Sequence, residues 1–170
     1  MNAMPTSYQI DDVNLAPGEF YFGGGYCRIH TLLGSCVAIT MWHPKQLIGG
    51  MCHYLLPSRG LNRRLSQGFF ADEAVNMFLG AVSKAKTKAS EYEVKVFGGG
   101  NMFEALGENS KHMNVSHNNI VAGANLLKLH GFNVKATDVG GTFHRKIFLE
   151  LWNGDVWVQR GTITNKAVDV

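Results

Sequence analysis

Apolar positions in the first third of the chain come in short runs rather than at helical steps. Glu19 to Phe22, Tyr26 to Leu33, Cys36 to Trp42 and Leu47 to Leu56 are rich in aromatic and β-branched residues, and Gly23-Gly24-Gly25, Gly34-Ser35 and His43-Pro44-Lys45-Gln46 separate them. Runs of that length bounded by turn formers predict strands joined tightly, hence antiparallel. After Phe69 the period changes: Ala74, Val75, Phe78, Leu79, Val82 and Ala85 follow at three- and four-residue steps, one stripe of a helix lying within Phe69 to Ala89. Asp72 and Glu73 at its start and Lys84, Lys86 and Lys88 at its end suit the helix macrodipole. Tyr92 to Phe97 predicts a strand that runs into Gly98-Gly99-Gly100-Asn101. A second helix is expected over His117 to His130, with Ile120, Val121, Ala124 and Leu127 on one side and Gly131 as its stop. The chain then returns to strands, Phe132 to Thr137, Lys146 to Trp152 and Val156 to Arg160, the last two turned by Asn153-Gly154-Asp155.

A block of strands, a helix, a strand, a helix and more strands predicts an α+β fold, a layered sandwich of mixed, largely antiparallel sheet with two main helices. Residues 1 to 17 are polar and end at Pro17-Gly18, so they read as a flexible N-terminal arm; residues 18 to 170 read as a single domain. With 170 residues, 45% of them hydrophobic and 17% charged, there is material for a sizeable core. A net charge of +3, dispersed except at Arg59 to Arg64 and Lys84 to Lys88, is too weak for a nucleic-acid footprint. No stretch approaches the roughly 18 apolar residues of a membrane span, and the start lacks the pattern of a secretory signal, so a cytoplasmic protein without membrane insertion is expected. Three cysteines, none in a C-x-x-C pair, argue against a disulfide framework.

Cys36, behind the small-residue break Gly34-Ser35, and His53, behind Gly49-Gly50, supply the thiol and imidazole of covalent acyl chemistry. A free cysteine is most often a small buried hydrophobe, and Cys27 and Cys52 fit that reading well. Cys36 differs because Gly34 and Ser35 place it where backbone N–H groups are left to bind an oxyanion. A thiol must become a thiolate to attack, and an imidazole beside it can accept the proton. A third group must hold the imidazole in its reactive tautomer, either the hydroxyl of Thr31, which can accept from the ring N–H, or a carboxylate or amide elsewhere in the chain. Cys52 and His53, adjacent on a strand, point to opposite faces, and no fourth ligand stands at a customary interval, so no metal and no cofactor is expected. The remaining histidines read as surface or capping groups. Gly98-Gly99-Gly100 lacks the ending of a phosphate loop and reads instead as a turn that makes room for substrate or for the other sheet.

Leu33-Gly34-Ser35-Cys36-Val37-Ala38-Ile39 and Ile48-Gly49-Gly50-Met51-Cys52-His53-Tyr54-Leu55-Leu56-Pro57 resemble the chemoreceptor glutamine deamidase family, CheD. The likeness continues in Val94 to Gly100, in Asn119-Ile120, in Asp138-Val139-Gly140-Gly141 and in Arg145-Lys146-Ile147, in the family's order from about Glu19 to Arg160. The resemblance implies an α/β layered sandwich and a protein-glutamine glutaminase, a cysteine hydrolase that converts selected glutamines of methyl-accepting chemotaxis receptors to glutamate through a thioester and releases ammonia. It implies Cys36 as nucleophile, His53 as base and Thr31 as the group that orients it, with Gly34 and Ser35 in the oxyanion loop. It implies the cytoplasmic domains of chemoreceptors as substrate and a CheC-type phosphatase as a further partner, and thereby an alternative role as a non-catalytic regulatory partner of that phosphatase in adaptation. Cys52 stands where an asparagine is expected, Ser116 and His144 where glycines are, and the basic stretch Ser58 to Arg64 is insertion-like.

Overall fold

The fold is known from a computed structural model that describes residues 9–105 and 113–161. In chain order its strands are β1 (Asp11–Asn14), β2 (Phe20–Gly24), β3 (Cys27–Leu33), β4 (Val37–His43), β5 (Ile48–Tyr54), β6 (Glu93–Gly98), β7 (Asn133–Val139), β8 (His144–Glu150) and β9 (Val156–Gly161). Two main helices, α1 (Ala71–Lys84) and α3 (Met113–Leu129), flank one short one, α2 (Met102–Ala105). The strands form two sheets, one of order β1-β3-β8-β9 and one of order β2-β5-β4-β6-β7. Most pairings are antiparallel; β1 with β3 and β6 with β7 are parallel, so both sheets are mixed.

The five-stranded sheet is the middle layer. One core joins it to the helices: Val37, Ile39 and Met41 of β4 and Cys52 and Tyr54 of β5 pack with Ala74, Val75 and Phe78 of α1 and Leu127 of α3. A second core joins it to the four-stranded sheet, where Ala38 and Met51 meet Cys27, Ile29, Leu33, Ile147 and Leu149. Side chains alternate across a strand, so β4 and β5 must be apolar on both faces, and the near-continuous hydrophobic runs of the sequence record that double burial. Cys52 and His53 consequently serve different layers.

Several boundaries and one element differ from the sequence reading. Asp11–Asn14, within the expected flexible arm, forms β1 in register with Cys27 to His30, and Leu15 behind it is buried. A polar run pairs here because its backbone groups bond to β3, a source of stability that hydrophobic periodicity does not register. The second helix begins at Met113 rather than His117, which places Asn119 inside it rather than at its opening. Gly49-Gly50, read as a break, lies inside β5: a Cβ at Gly50 would strike the carbonyl of Tyr21 on β2, so the glycine lets two backbones approach. No helix among the described residues is long and apolar enough to cross a membrane.

Truncating the inter-sheet core at Leu149, 1% exposed, to alanine should cost about 2–5 kcal/mol, through lost burial and the cavity left. Urea unfolding should show it as a lower midpoint with an unchanged slope.

Candidate active site

β3 and β5 belong to different sheets, and their facing side chains meet in the inter-sheet layer. Thr31 and His53 are both buried there, and Thr31 Oγ1 lies 2.7 Å from His53 Nδ1. The same hydroxyl donates to the carbonyl of Leu15 at 2.7 Å. A threonine hydroxyl has one proton, and Leu15 takes it, so the ring must be the donor: Nδ1 carries hydrogen and Nε2 keeps its lone pair. Nε2 is buried and has no hydrogen-bond partner among the described residues.

Cys36 immediately precedes β4. Ala38 pairs with His53 across the β4–β5 ladder, and Cys36, two residues before Ala38, packs into the same inter-sheet layer. It therefore stands diagonal to His53 in the register of the two strands, a backbone spacing of about 7–8 Å. Cys36 is half-buried and His53 is 2% exposed.

Gly34 and Ser35 are held from two sides. The N–H groups of Gly99 and Gly100 donate to the carbonyls of Cys36 (2.8 Å) and Gly34 (2.9 Å). Gly98, at φ +107°, allows this approach, because a Cβ there would collide with the Cys36 carbonyl oxygen. The glycine turn thus packs against the thiol loop, which joins β3 of one sheet to β4 of the other. On the helix side Asn119 of α3, fully buried, donates from Nδ2 to the carbonyls of Leu55 at 2.7 Å and of Ser35 at 3.5 Å. With the Gly34 and Ser35 carbonyls so engaged, the trans peptides turn the N–H groups of Ser35 and Cys36 to the opposite side. Neither has an acceptor among the described residues.

Burial dominates the proton affinities. It pushes the Cys36 thiol up, offset in part by a hydrogen bond from the Ser35 side chain, and it lowers His53 to about 4. The resting pair is thus neutral thiol and neutral imidazole. Cys52, pushed up to about 12 by complete burial on the helix side, is chemically quiet, and His43 accepts from the N–H groups of Lys45 and Gln46 as a turn cap.

Arg145 escapes sequence reasoning as a structural element because its charge sits on an inward-facing position of an apolar strand. It is 1% exposed, donates to the carbonyls of Gly98 and Gly140, pairs with Asp138 at 3.3 Å and stacks on Phe143 at 4.3 Å. Through Gly98 it braces the turn that holds the thiol loop. Leu15 was hidden for a different reason: its contribution is a backbone carbonyl, and residue type carries no signal for that.

Residues 55–160 match the family described as CheD chemotactic sensory transduction. The chain belongs to the CheD family. It is 44% identical over 152 residues (89% of this chain, 90% of the relative) to the probable chemoreceptor glutamine deamidase CheD of Pseudomonas syringae pv. tomato. It is 43% identical over 159 residues (93% and 91%) to the probable chemoreceptor glutamine deamidase CheD 3 of Dechloromonas aromatica. A more distant relative, the probable chemoreceptor glutamine deamidase CheD 1 of Leptospira interrogans serovar Lai, is 38% identical over 155 residues (89% and 93%).

The folded-state value of about 4 for His53 lies below its ordinary 6.5, so the unfolded chain takes up the proton first. The stability linked to this group is whole above about pH 6.5 and is lost as pH falls towards 4, by up to about 3 kcal/mol. Urea unfolding at pH 7 and pH 4.5 should therefore show a steeper acid loss for the wild type than for His53→Gln; parallel losses would exclude the buried neutral ring.

Proposed function

We propose that this chain is a chemoreceptor glutamine deamidase in which Cys36 is the nucleophile, His53 its base and Thr31 the residue that orients the base. The observation that carries the reading is the hydrogen-bond chain Leu15 carbonyl, Thr31 hydroxyl, His53 Nδ1–H, which leaves Nε2 as an unshared acceptor among the described residues, with Cys36 diagonal to His53 in the β4–β5 register. The substrate is the side-chain amide of glutamine on the cytoplasmic domain of a chemoreceptor.

Because both groups rest neutral, the proton moves only when a carboxamide occupies the site. His53 Nε2 takes the thiol proton as sulfur bonds to the amide carbon, and the oxygen, now negative, receives the N–H groups of Ser35 and Cys36. The resulting imidazolium gives its proton to the departing nitrogen, ammonia leaves, and a thioester remains. Water, deprotonated by the again neutral His53, adds to the thioester carbon; collapse returns the proton to sulfur and frees glutamate. The sum is amide plus water to carboxylic acid plus ammonia, with no redox step. Ionisation of the new acid places a negative charge on the receptor where a neutral amide stood, which changes repulsion between neighbouring helical carboxylates. A CheC-type phosphatase is the second partner brought by the family resemblance, and its binding is separable from catalysis because it does not require the thiol.

Cys36→Ala should reduce ammonia release from a receptor cytoplasmic fragment to background while preserving the melting temperature; turnover by that variant would remove the nucleophile. His53→Ala should fall nearly as far, since paired groups act as a unit. Thr31→Val should lose less than about 100-fold, as it only frees the tautomer, and Thr31→Ser should recover most of the loss. Mass spectrometry of the fragment, with a gain of about one dalton per amide converted to acid, reads all four.

A further inference from the structure

The segment between β5 and α1 is held in a form that serves neither core. Arg59 grips it from inside: its guanidinium donates to both carboxylate oxygens of Glu73 on α1 at 3.0 Å, and to the carbonyls of Asn62 at 3.0 Å and Leu65 at 2.8 Å. It also stacks on Phe70 at 4.5 Å. Asn62 turns the tip, its side-chain oxygen accepting from the N–H groups of Arg64 and Leu65. This internal bracing spends one arginine and one acid on shape. It leaves Leu61 98% exposed, flanked across Asn62 by the exposed Arg63 and Arg64, neither with an ion-pair partner among the described residues.

The loop also stands in a particular place. Its feet are Leu56 and Phe70, bridged to one another, with the N–H of Leu55 bonded to the Phe69 carbonyl. Continuing the β4–β5 register by one residue beyond Val37 and Tyr54 sets Leu55 level with Cys36. The loop therefore springs from the sheet end at which Cys36 lies, its first foot two residues beyond the strand that carries His53. Two unneutralised cations beside an exposed leucine, on a braced loop that leaves the sheet end where Cys36 lies, present a positive surface to an acidic partner.

We propose that the loop Ser58–Leu65 is the substrate-docking element, in which Arg63 and Arg64 bind carboxylates that flank the target glutamine on the receptor and Leu61 packs on an apolar side chain between them. This rests on the deamidase reading above and names how that site selects its protein. Two cations and one leucine are too few to anchor the chain on a bilayer, where each cation contributes about 1 kcal/mol, so the partner is protein rather than lipid.

Binding is measured with the receptor cytoplasmic fragment in a Cys36→Ala background, where no turnover intervenes. Arg63→Glu/Arg64→Glu should weaken Kd at least tenfold at low ionic strength and flatten its salt dependence, and Leu61→Ser should weaken it severalfold. Lys45→Glu/Lys84→Glu, an equal charge change away from this loop, should stay within twofold. With the thiol restored, the loop variant should raise KM rather than lower kcat. Unchanged affinity, equal losses in the two charge variants, or loop-dependent binding to phosphatidylserine vesicles with none to the fragment would each overturn the proposal. The substituted side chains are exposed, so melting temperatures should hold; a fall of more than a few degrees would assign the arginines to the fold and overturn it too. Failure of the nucleophile assignment appears separately, as ammonia release by Cys36→Ala.

Discussion

One proton decides the character of this site. The Thr31 hydroxyl can give hydrogen to only one acceptor, and the Leu15 carbonyl takes it, so the oxygen turns its lone pairs to His53 and fixes the ring with Nε2 bare. A hydroxyl does here what a carboxylate does in many hydrolases, with one electrostatic difference. Among the described residues no carboxylate bonds to the imidazole to stabilise its protonated form, and burial lowers His53 to about 4 while pushing the thiol up. Thiol and imidazole are therefore both neutral at rest.

The layers explain why such a pair is stable. A buried neutral imidazole costs far less than a buried charge, and a thiol behaves as a small hydrophobe until it is used. Cys36 accordingly packs against the inter-sheet core. The polar work is delegated to the backbone, with three glycines, Asn119 and Arg145 holding the carbonyls of the thiol loop or its supporting turn away from the reacting face. Arg145 is compensated by Asp138, which also pairs with Arg160, so the buried cation does not stand alone.

Much of this was legible in the residues. The switch from short apolar runs to the three-and-four spacing after Phe69 located α1, and Asn153-Gly154-Asp155 located the β8–β9 turn, because periodicity and turn chemistry are local properties. The opposite facing of Cys52 and His53 followed from strand alternation alone. Gly49-Gly50 misled because a glycine that ends a strand and one that lets two strands approach look alike until the neighbour is known. β1 was missed since Asp11 and Asp12 bear no apolar pattern and are held by hydrogen bonds to β3. The start of α3 at Met113 escaped for a related reason: its first turn lies outside the apolar stripe from which the helix was read. In the candidate site, side chains that offer a reactive group announced themselves, whereas Leu15, Gly98 and Arg145 act through carbonyls and packing that residue type does not encode.

The Leu15–Thr31–His53 chain has a bearing on how the protein is made. Its members come from the amino-terminal strand segment, the four-stranded sheet and the five-stranded sheet, and β3 reaches its partner β8 only after more than a hundred intervening residues have been synthesised. Non-local pairings of this kind form late in folding. A growing polypeptide on the ribosome thus lacks the clasp between Thr31 and His53, which arrives only with the closing of the sandwich.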